Sequence, residues 1–362
     1  MVSTRKLAAV VSVMAIISAG MLSACSSSNG TAAGSCVVGV SWNNYQEERW
    51  AKWDEPAIKA ALTTAGCSYI SNDAKSSSDT QLSNVDALIS QGAKVVIILA
   101  QDGTAIKPAV KKALDAGIPV IAYDRLIEDT GAFYITFDNV LVGKLQAAAL
   151  LKVKSSGNFV VIKGNKADAN ADFLRKGMVQ AGVPDVGAST DALKNVGETY
   201  TDNWDPAGAQ TEMEQFLTAN SNKIDIAFVE NDGMAGGVIA ALKSQGLAGT
   251  VPVSGQDGDA AALNRIALGT QTVDVWKDAR MLGDAAGQAA AQLAKGTAKD
   301  KITTDKYGNS AKFASPGGNS LDSILLTPQA ITKDNLSVVL DAKWIDKATL
   351  CKDVTAGSVT GC

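Results

Sequence analysis

Histidine is absent from all 362 residues of this chain. Its absence excludes the most common general base, the serine–histidine and cysteine–histidine nucleophiles, and most transition-metal sites. No cluster of lysine and arginine provides the basic surface that nucleic-acid binding requires, and the net charge is −4. The sequence also lacks a phosphate-binding glycine loop and a nucleophile elbow. We therefore expect no catalytic residues, no cofactor or metal site, and no nucleic-acid partner.

Aromatic residues are scarce, at 5% of the chain, yet four of them fall within twelve residues. The stretch SWNNYQEERWAKW contains Trp42, Tyr45, Trp50 and Trp53, and Arg49 lies among these rings. The charged sequence Glu-Glu-Arg would be unfavourable in a buried core helix, and a solvated loop rarely contains so many aromatic rings. The combination predicts a binding surface that offers flat apolar faces beside a fixed positive charge.

The N-terminal residues are typical of an export signal. A short basic segment precedes an apolar run over 7–21, which is short for a membrane span. The run ends in LSAC, which resembles a bacterial lipobox and predicts cleavage before Cys25 and a lipid on its sulfur. An uncleaved anchor helix with an incidental cysteine is the alternative. Small residues before Cys25 and polar residues after it favour a lipoprotein signal peptide at 1–24 and a linker at 25–35.

The four other cysteines fit an exported protein in an oxidising compartment. Cys36 opens the first predicted strand and Cys67 opens the second. Neighbouring parallel strands lie about 4.8 Å apart, so cysteines at matching ends are within bridging range. Cys351 and Cys362 remain, close together near the C-terminus. We expect disulfides 36–67 and 351–362, with free buried thiols as the alternative.

From residue 36 onward, short β-branched runs alternate with longer amphipathic segments. This alternation predicts parallel sheets with helices on both faces, and the mostly apolar runs indicate strands buried on both sides. The runs form two groups of five, dividing near residue 138, which predicts two doubly wound α/β domains. The late run SILLTP needs a sheet to join. Residues 297–322 are polar and are predicted to be irregular.

In open α/β sheets, ligands bind beyond the carboxyl ends of the strands. Unusual side chains follow seven of the predicted strands: Arg49, Trp50, Asp124, Arg125, Asp168, Asn170, Trp204, Asn231, Asp257 and Lys277. Some have simpler explanations, because Asp124-Arg125 could be a local ion pair, and Asn231 and Asp257 precede helices that need caps. Together, however, they predict one cleft with two walls.

The chemistry of these residues suits a pyranose sugar. Such a ring presents hydroxyl groups around its edge and apolar C–H patches on its faces. Carboxylates accept hydrogen bonds, guanidinium and ammonium groups donate them, and asparagine does both, while flat indoles cover apolar faces. Trp50 and Trp204 are predicted to clamp the two faces of the sugar. The other rings are expected to line the cleft or pack beneath it (Trp42, Tyr45, Trp53) or to lie outside it (Trp344).

Several blocks of the sequence resemble the solute-binding proteins of bacterial sugar importers, in the pentose- and hexose-binding branch. They are EERWAKW, IPVIAYDRLI, FYITFDN, GNKADANADFLRKG, NWDPAGA, VSGQDGDAAALNRIALGTQTVDVWK and LLTPQAITKDN. The resemblance covers most of 36–345 and implies sugar-binding roles for the ten residues above. It also implies a periplasmic binding protein-like I fold, in which two α/β domains joined by a three-segment hinge close on one sugar. The implied domains are 36–138 plus 279–324 and 139–278 plus 325–350, followed by a disulfide-closed tail at 351–362.

The resemblance implies a monomeric, lipid-anchored receptor on the outer face of the cytoplasmic membrane, or in the periplasm. It would deliver a monosaccharide to the membrane permease of an ATP-driven (ABC) importer, with D-xylose favoured over glucose, arabinose or galactose. The same fold also serves in sugar sensors that act on a membrane signalling partner. A transcription regulator would need an N-terminal helix-turn-helix, where this chain has a lipobox. A sugar-converting enzyme could use paired carboxylates such as Asp124 and Asp257, and turnover of sugars would reveal it.

Overall fold

A computed structural model describes residues 36–362, so the predicted signal peptide, the linker and Cys25 lie outside the described residues. The strands are β1 (Val37–Trp42), β2 (Ser68–Asp73), β3 (Val95–Ile98), β4 (Val120–Tyr123), β5 (Phe133–Phe137), β6 (Gly157–Lys163), β7 (Leu193–Tyr200), β8 (Ile226–Val229), β9 (Ser254–Gln256), β10 (Val273–Trp276), β11 (Thr303–Thr304), β12 (Gly308–Asn309), β13 (Ala311–Ala314), β14 (Ser320–Leu326) and β15 (Gln329–Ile331). The helices are α1 (Glu55–Thr64), α2 (Ser78–Ser90), α3 (Lys107–Asp115), α4 (Asn139–Val153), α5 (Ala169–Gln180), α6 (Pro206–Ala219), α7 (Asp232–Ser244), α8 (Ala260–Leu268), α9 (Ala279–Ala294), α10 (Ser337–Asp341) and α11 (Lys347–Leu350).

The first lobe is built on a seven-stranded sheet in the order β13-β14-β5-β4-β3-β1-β2. Every neighbouring pair is parallel except β13–β14. Helices α1 and α9 cover one face, and α2 and α3 cover the other. The strands β3, β4 and β5 are buried along their whole length, which explains why their sequences are continuous apolar runs rather than alternating ones.

The second lobe is built on the sheet β7-β6-β8, which a parallel bridge between Ala227 and Val253 connects to the sheet β9-β10-β15. Helices α4 and α5 pack on one face, and α6 and α7 pack on the other. Helix α8 and the C-terminal helices surround Trp276 and Trp344 in a separate apolar cluster. The predicted fold class is therefore confirmed: parallel sheets covered by helices on both faces, in two α/β units.

The chain passes between the lobes three times. It leaves the first sheet after β5, returns from β10 into α9, and leaves again between β14 and β15. The run SILLTP belongs to β14, which pairs with β5 in the first sheet. The prediction that 297–322 is irregular was wrong in part, because this segment contains β11, β12, β13 and the start of β14. Strand β13 is an exposed edge strand, so its sequence lacks the apolar pattern of a buried strand.

Residues 36–362 contain two disulfides, with the pairing expected from the sequence. Cys36–Cys67 joins the residues that precede β1 and β2, and Cys351–Cys362 closes the C-terminal tail. The tail lies against α8, where Asn264 Nδ2 donates to the carbonyls of Leu350 and Lys352. None of the helices in the described part of the chain has the length and hydropathy needed to cross a membrane.

Candidate functional site

All ten side chains singled out from the sequence lie around one cavity between the lobes. It encloses about 270 Å³ and is lined by Glu47, Arg49, Trp50, Asp124, Arg125, Asp168, Asn170, Trp204, Asn231, Gln256, Asp257 and Lys277. Each of the ten is at most 8% exposed. The lining side chains leave little room between them, so the site suits one small ring rather than a chain of rings.

Arg49 is fixed in position by a carboxylate that the sequence analysis did not identify. It precedes a π-helical turn over Trp50–Asp54, and such turns are frequent at functional sites. Its Nε and Nη2 atoms donate to both oxygens of Asp54, at 3.0 and 2.8 Å, and Tyr123 donates its hydroxyl to the same carboxylate. Its Nη1 atom is thereby aimed at the cavity, 3.2 Å from Asp124 Oδ2 and 3.3 Å from Asp257 Oδ1.

Arg125 joins the two lobes rather than pairing with its neighbour in sequence. Its Nε atom lies 3.0 Å from Asp168 Oδ2 in the second lobe, and its Nη2 atom lies 3.2 Å from Glu47 Oε1 in the first. Glu47 also accepts a 2.7 Å hydrogen bond from Trp50 Nε1. The alternative of a local Asp124–Arg125 ion pair is therefore wrong. Glu47 instead orients both an indole and a guanidinium of the cavity wall.

Trp204 reaches the cavity because the backbone before α6 is left-handed. Asn203 and Trp204 have φ of 56° and 57°, and Asn203 Oδ1 accepts a 2.8 Å hydrogen bond from Gln101 of the first lobe. The indole lies directly over Gly164, where a Cβ atom would come within 2.1 Å of the ring. Its Nε1 atom is buried and has no hydrogen-bond partner among residues 36–362. The ring therefore contributes an apolar surface to the cavity wall.

Two of the cavity residues are also helix caps. Asp168 accepts from the backbone N–H of Asn170 at the start of α5, and Asn231 accepts from that of Met234 at the start of α7. Capping uses one oxygen of each side chain. The second oxygen of Asp168 pairs with Arg125, and the amide nitrogen of Asn231 remains for another partner. The capping explanation for Asn231 is thus correct, and it is compatible with a place in the cavity wall.

The pKa values of the cavity carboxylates differ according to their cationic neighbours. Burial raises the pKa of Asp168 to about 6, against the opposing effect of Arg125. Burial acts in the same direction on Asp124, but Arg49, Lys277 and Arg125 together hold the pKa of this carboxyl below its usual value. Asp124 is therefore a charged acceptor at neutral pH.

The charges of the cavity wall are nearly balanced. Three basic side chains (Arg49, Arg125, Lys277) face four acidic ones (Glu47, Asp124, Asp168, Asp257). A phosphate or a quaternary amine would meet repulsion from one of these sets. A neutral ligand with many hydroxyl groups finds acceptors and donors on every side. In the part of the chain that the structure describes, no three His, Cys, Asp or Glu side chains are grouped to hold a metal ion.

The other tryptophans support the site from outside it. Trp42 is buried in the first core, beside Trp50 and Tyr123. Trp53 stacks on Trp344 with ring centroids 4.5 Å apart. Trp344 lies outside the cavity as expected, but its Nε1 atom donates a 2.6 Å hydrogen bond to the carbonyl of Gly258, next to Asp257. A substitution of Trp344 would therefore disturb the backbone next to Asp257, although Trp344 itself does not line the cavity.

Sequence reasoning missed three residues of the site: Glu47, Asp54 and Gln256. Gln256 ends β9, directly before Asp257, and its position at a carboxyl strand end was a usable signal. Glu47 and Asp54 lie close to Arg49 in the sequence, but charged residues at such positions are equally typical of a solvated helix surface. Only the π-helical turn brings Asp54 back onto the Arg49 guanidinium.

Known proteins resemble this chain over most of its length. Residues 38–298 match the family model described as periplasmic binding protein domain. The D-xylose-binding periplasmic protein of Escherichia coli (strain K12) is 37% identical over 300 residues, covering 83% of this chain and 87% of that protein. The multiple sugar-binding periplasmic receptor ChvE of Rhizobium radiobacter is 32% identical over 323 residues, covering 84% and 89%. The solved carbohydrate transporter solute binding protein from Chloroflexus aurantiacus, in complex with D-glucose, gives a TM-score of 0.75 at 27% identity, covering 86% and 97%.

Proposed function

This chain belongs to the periplasmic binding protein family, and from that premise we propose that it is a receptor that binds one monosaccharide between its two lobes. The observation that carries the proposal is the charge-balanced cavity, in which two buried indoles accompany seven charged side chains. Indoles match the apolar faces of a pyranose, and the charged and amide groups match its hydroxyls. The relatives are named as binding proteins and a receptor, not as enzymes.

D-xylose is the sugar that we propose. The E. coli relative named for D-xylose is 37% identical to this chain. D-glucose is the main alternative, because the Chloroflexus aurantiacus protein was solved with it and ChvE is named for several sugars. The two sugars differ by one hydroxymethyl group, and the space that the cavity wall leaves for that group would decide selectivity.

We further propose that the lobes close on the sugar by a hinge and that the closed form delivers it to the permease of an ATP-driven importer. The three crossings between β5 and α4, between β10 and α9, and between β14 and β15 would form the hinge. Uptake of labelled D-xylose should be lost when the gene is deleted and should return with the wild-type gene. Normal uptake in the deletion strain would favour the sensor role instead.

A lipid on Cys25 would hold this receptor at the membrane surface. The proposal rests on the LSAC sequence, which lies outside the residues that the structure describes. The wild-type protein should partition into detergent, and Cys25→Ser should be released in soluble form. Equal partitioning of the two proteins would contradict the lipid anchor without affecting the sugar site.

A thermal-shift screen tests the sugar-binding function directly. D-xylose, D-glucose, L-arabinose and D-galactose are compared, with mannitol as an acyclic control. A ligand at one hundred times its Kd should stabilise the protein by about 2.7 kcal/mol. D-xylose is expected to give the largest shift, and calorimetric titration then measures its affinity. The proposal fails if no monosaccharide shifts the melting temperature, and turnover of a sugar would indicate an enzyme.

A further inference from the structure

The turn that carries Asp257 into the cavity has an unusual backbone. Asp257 has φ of 104° and Gly258 has φ of 87°. A positive φ at a residue with a side chain is strained and persists only where the surroundings impose it. The Asp257 carboxylate lies 3.3 Å from Arg49 Nη1 and 3.6 Å from Lys277 Nζ. The groups that hold this backbone therefore decide where a carboxylate of the cavity wall points.

Two further carboxyl groups accept hydrogen bonds from the backbone of this turn. Asp232, at the start of α7, accepts through Oδ2 from the backbone N–H groups of Gly258 and Asp259, at 3.1 and 3.0 Å. Asp274, in β10, accepts through Oδ1 from the same Gly258 N–H, at 3.2 Å. Both side chains are at most 1% exposed and neither lines the cavity.

These two carboxyl groups are too close together to be ionised at the same time. They meet at one N–H group, in an interior from which water is excluded. Asp274 Oδ2 is buried and has no hydrogen-bond donor among residues 36–362, although an ionised oxygen would require one. Neighbouring buried carboxylates relieve their repulsion by sharing a proton.

We propose that Asp232 and Asp274 form a proton-sharing pair that positions Asp257, so that loss of the shared proton weakens sugar binding. This inference rests on the proposed function. Neither residue touches the cavity, so both are positioning residues. A second negative charge beneath Gly258 would push against the turn and thereby displace the Asp257 carboxylate from the sugar hydroxyls.

The charged groups around the pair determine how firmly the proton is held. Asp257, in the turn itself, adds negative charge and favours the proton. Asp259 acts in the same direction when it is ionised, but burial raises its own pKa well above its usual value, so it too holds a proton readily. Arg265 of α8 opposes them, since its Nη2 atom donates to the backbone carbonyl of Asp232. Lys277, after β10, is paired with Asp257. Glu48 of the first lobe adds negative charge on the side of Asp259.

The direction of the pKa shifts agrees with this geometry. Burial raises the pKa of Asp232 well above its usual range, and the nearby Asp274 adds to the effect. Burial likewise raises the pKa of Asp274 to about 8. The pair therefore holds at least one proton at neutral pH and releases protons only as the solution becomes alkaline.

Trp344 holds the turn in place, so the turn cannot move if the Asp232–Asp274 pair loses its proton. Its indole donates a 2.6 Å hydrogen bond to the carbonyl of Gly258, and its ring packs on Trp276. A Cβ atom at Gly258 would lie 2.4 Å from Trp276 and 3.0 Å from Trp344. Because the two indoles confine the turn, it cannot move away from a new negative charge beneath Gly258. The repulsion would therefore displace the Asp257 carboxylate.

The test is calorimetric titration with D-xylose and with D-glucose between pH 6.5 and pH 9.5. If only the protonated pair is competent, the Kd of the wild type should rise about tenfold from pH 7 to pH 9. Asp274→Asn cannot ionise, so its Kd should not change over this range. Asp334→Asn, an exposed change in the same lobe, is the matched control and should follow the wild-type profile.

A second measurement requires no variant. Titration at pH 8.5 in two buffers of different ionisation enthalpy should show proton uptake by the wild type on sugar binding. A wild-type Kd that is independent of pH, or a rise that Asp274→Asn shares, would overturn the pair and leave the sugar site intact. Absence of binding at every pH would instead overturn the proposed function.

Discussion

At the scale of single residues, the site depends on how its charged groups are held. Arg49 uses two of its nitrogen atoms on Asp54 and has one directed into the cavity. This bidentate grip requires a planar guanidinium, since the ammonium of lysine is a single point of charge. Asp54 does not line the cavity, yet it determines the direction in which Arg49 points.

Arg49→Lys should therefore raise the Kd for D-xylose about tenfold or more, which corresponds to a loss of roughly 1–3 kcal/mol. Arg175→Lys is the matched control. Arg175 is equally buried and holds both oxygens of Glu198, but it lies outside the cavity. The control should lower stability without changing the Kd. Calorimetric titration of folded variants measures both, and an unchanged Kd in Arg49→Lys would contradict its role.

The raised pKa of Asp168 predicts a pH-dependent stability. Burial raises the pKa to about 6 in the folded protein, from a usual value of 3.8. Between about pH 4 and pH 6 the unfolded chain is ionised at this residue while the folded chain keeps its proton. The folded state then binds more protons, so the free energy of unfolding falls as pH rises through this window.

Chemical denaturation of the wild type and of Asp168→Asn from pH 3.5 to pH 7 measures this contribution. The stability of the wild type relative to the variant should decrease as pH rises through the window. Asp334→Asn should show a constant difference from the wild type. A constant difference for Asp168→Asn as well would mean that this carboxyl titrates normally.

At the scale of helices and strands, the regular elements were largely predictable from the sequence. Short runs rich in β-branched residues identified β1 to β10 and β14, although β2 and β7 are half-buried edge strands rather than buried ones. The edge strand β13 has no buried face to impose such a pattern and was missed. The ten cavity residues were found because strand ends are recognisable. Asp54 and the left-handed backbone of 203–204 depend on tertiary contacts, which no local pattern encodes.

The loop after β6 is a good place to test how an element shapes the site. Gly164 lies beneath the Trp204 ring, and a Cβ atom there would meet the ring at 2.1 Å. Gly164→Ala should displace the indole and weaken sugar binding about tenfold or more. Gly233→Ala in α7 is the control, since its Cβ atom would meet nothing closer than Pro206 at 3.4 Å. Equal affinity in both variants would show that Trp204 does not stack on the sugar.

At the scale of the whole molecule, both polar and aromatic contacts join the lobes. The polar ones include Arg49–Asp257 at 3.3 Å, Arg125–Asp168 at 3.0 Å, Gln101–Asn203 at 2.8 Å and Asn170–Asp124 at 3.3 Å. The aromatic ones include Trp53–Trp344 and Phe173–Phe313, with ring centroids 4.5 and 5.8 Å apart. Ion pairs taken out of water gain little, because desolvation offsets their attraction. The ion pairs at the cavity therefore add little to closure by themselves. A sugar adds hydrogen bonds and apolar contact to both walls at once.

Saturating D-xylose should consequently lower the radius of gyration of the wild type in small-angle X-ray scattering. Trp204→Ala removes one apolar wall and should show a smaller decrease at the same sugar concentration. Mannitol should have no effect on either protein. An identical radius with and without sugar in the wild type would contradict closure while leaving binding itself open to calorimetry.

The three crossings between the lobes also determine the order in which the parts of each lobe are synthesised. A chain synthesised from its N-terminus has delivered β1 to β5 long before it delivers α9 and β14. Until Leu326 emerges, β5 lacks its neighbour and one face of the first sheet lacks α9. Such an open edge and bare apolar face are hazards for a nascent chain. The first lobe is thus begun early and completed late, and its open edge and bare face persist through almost the entire synthesis of the second.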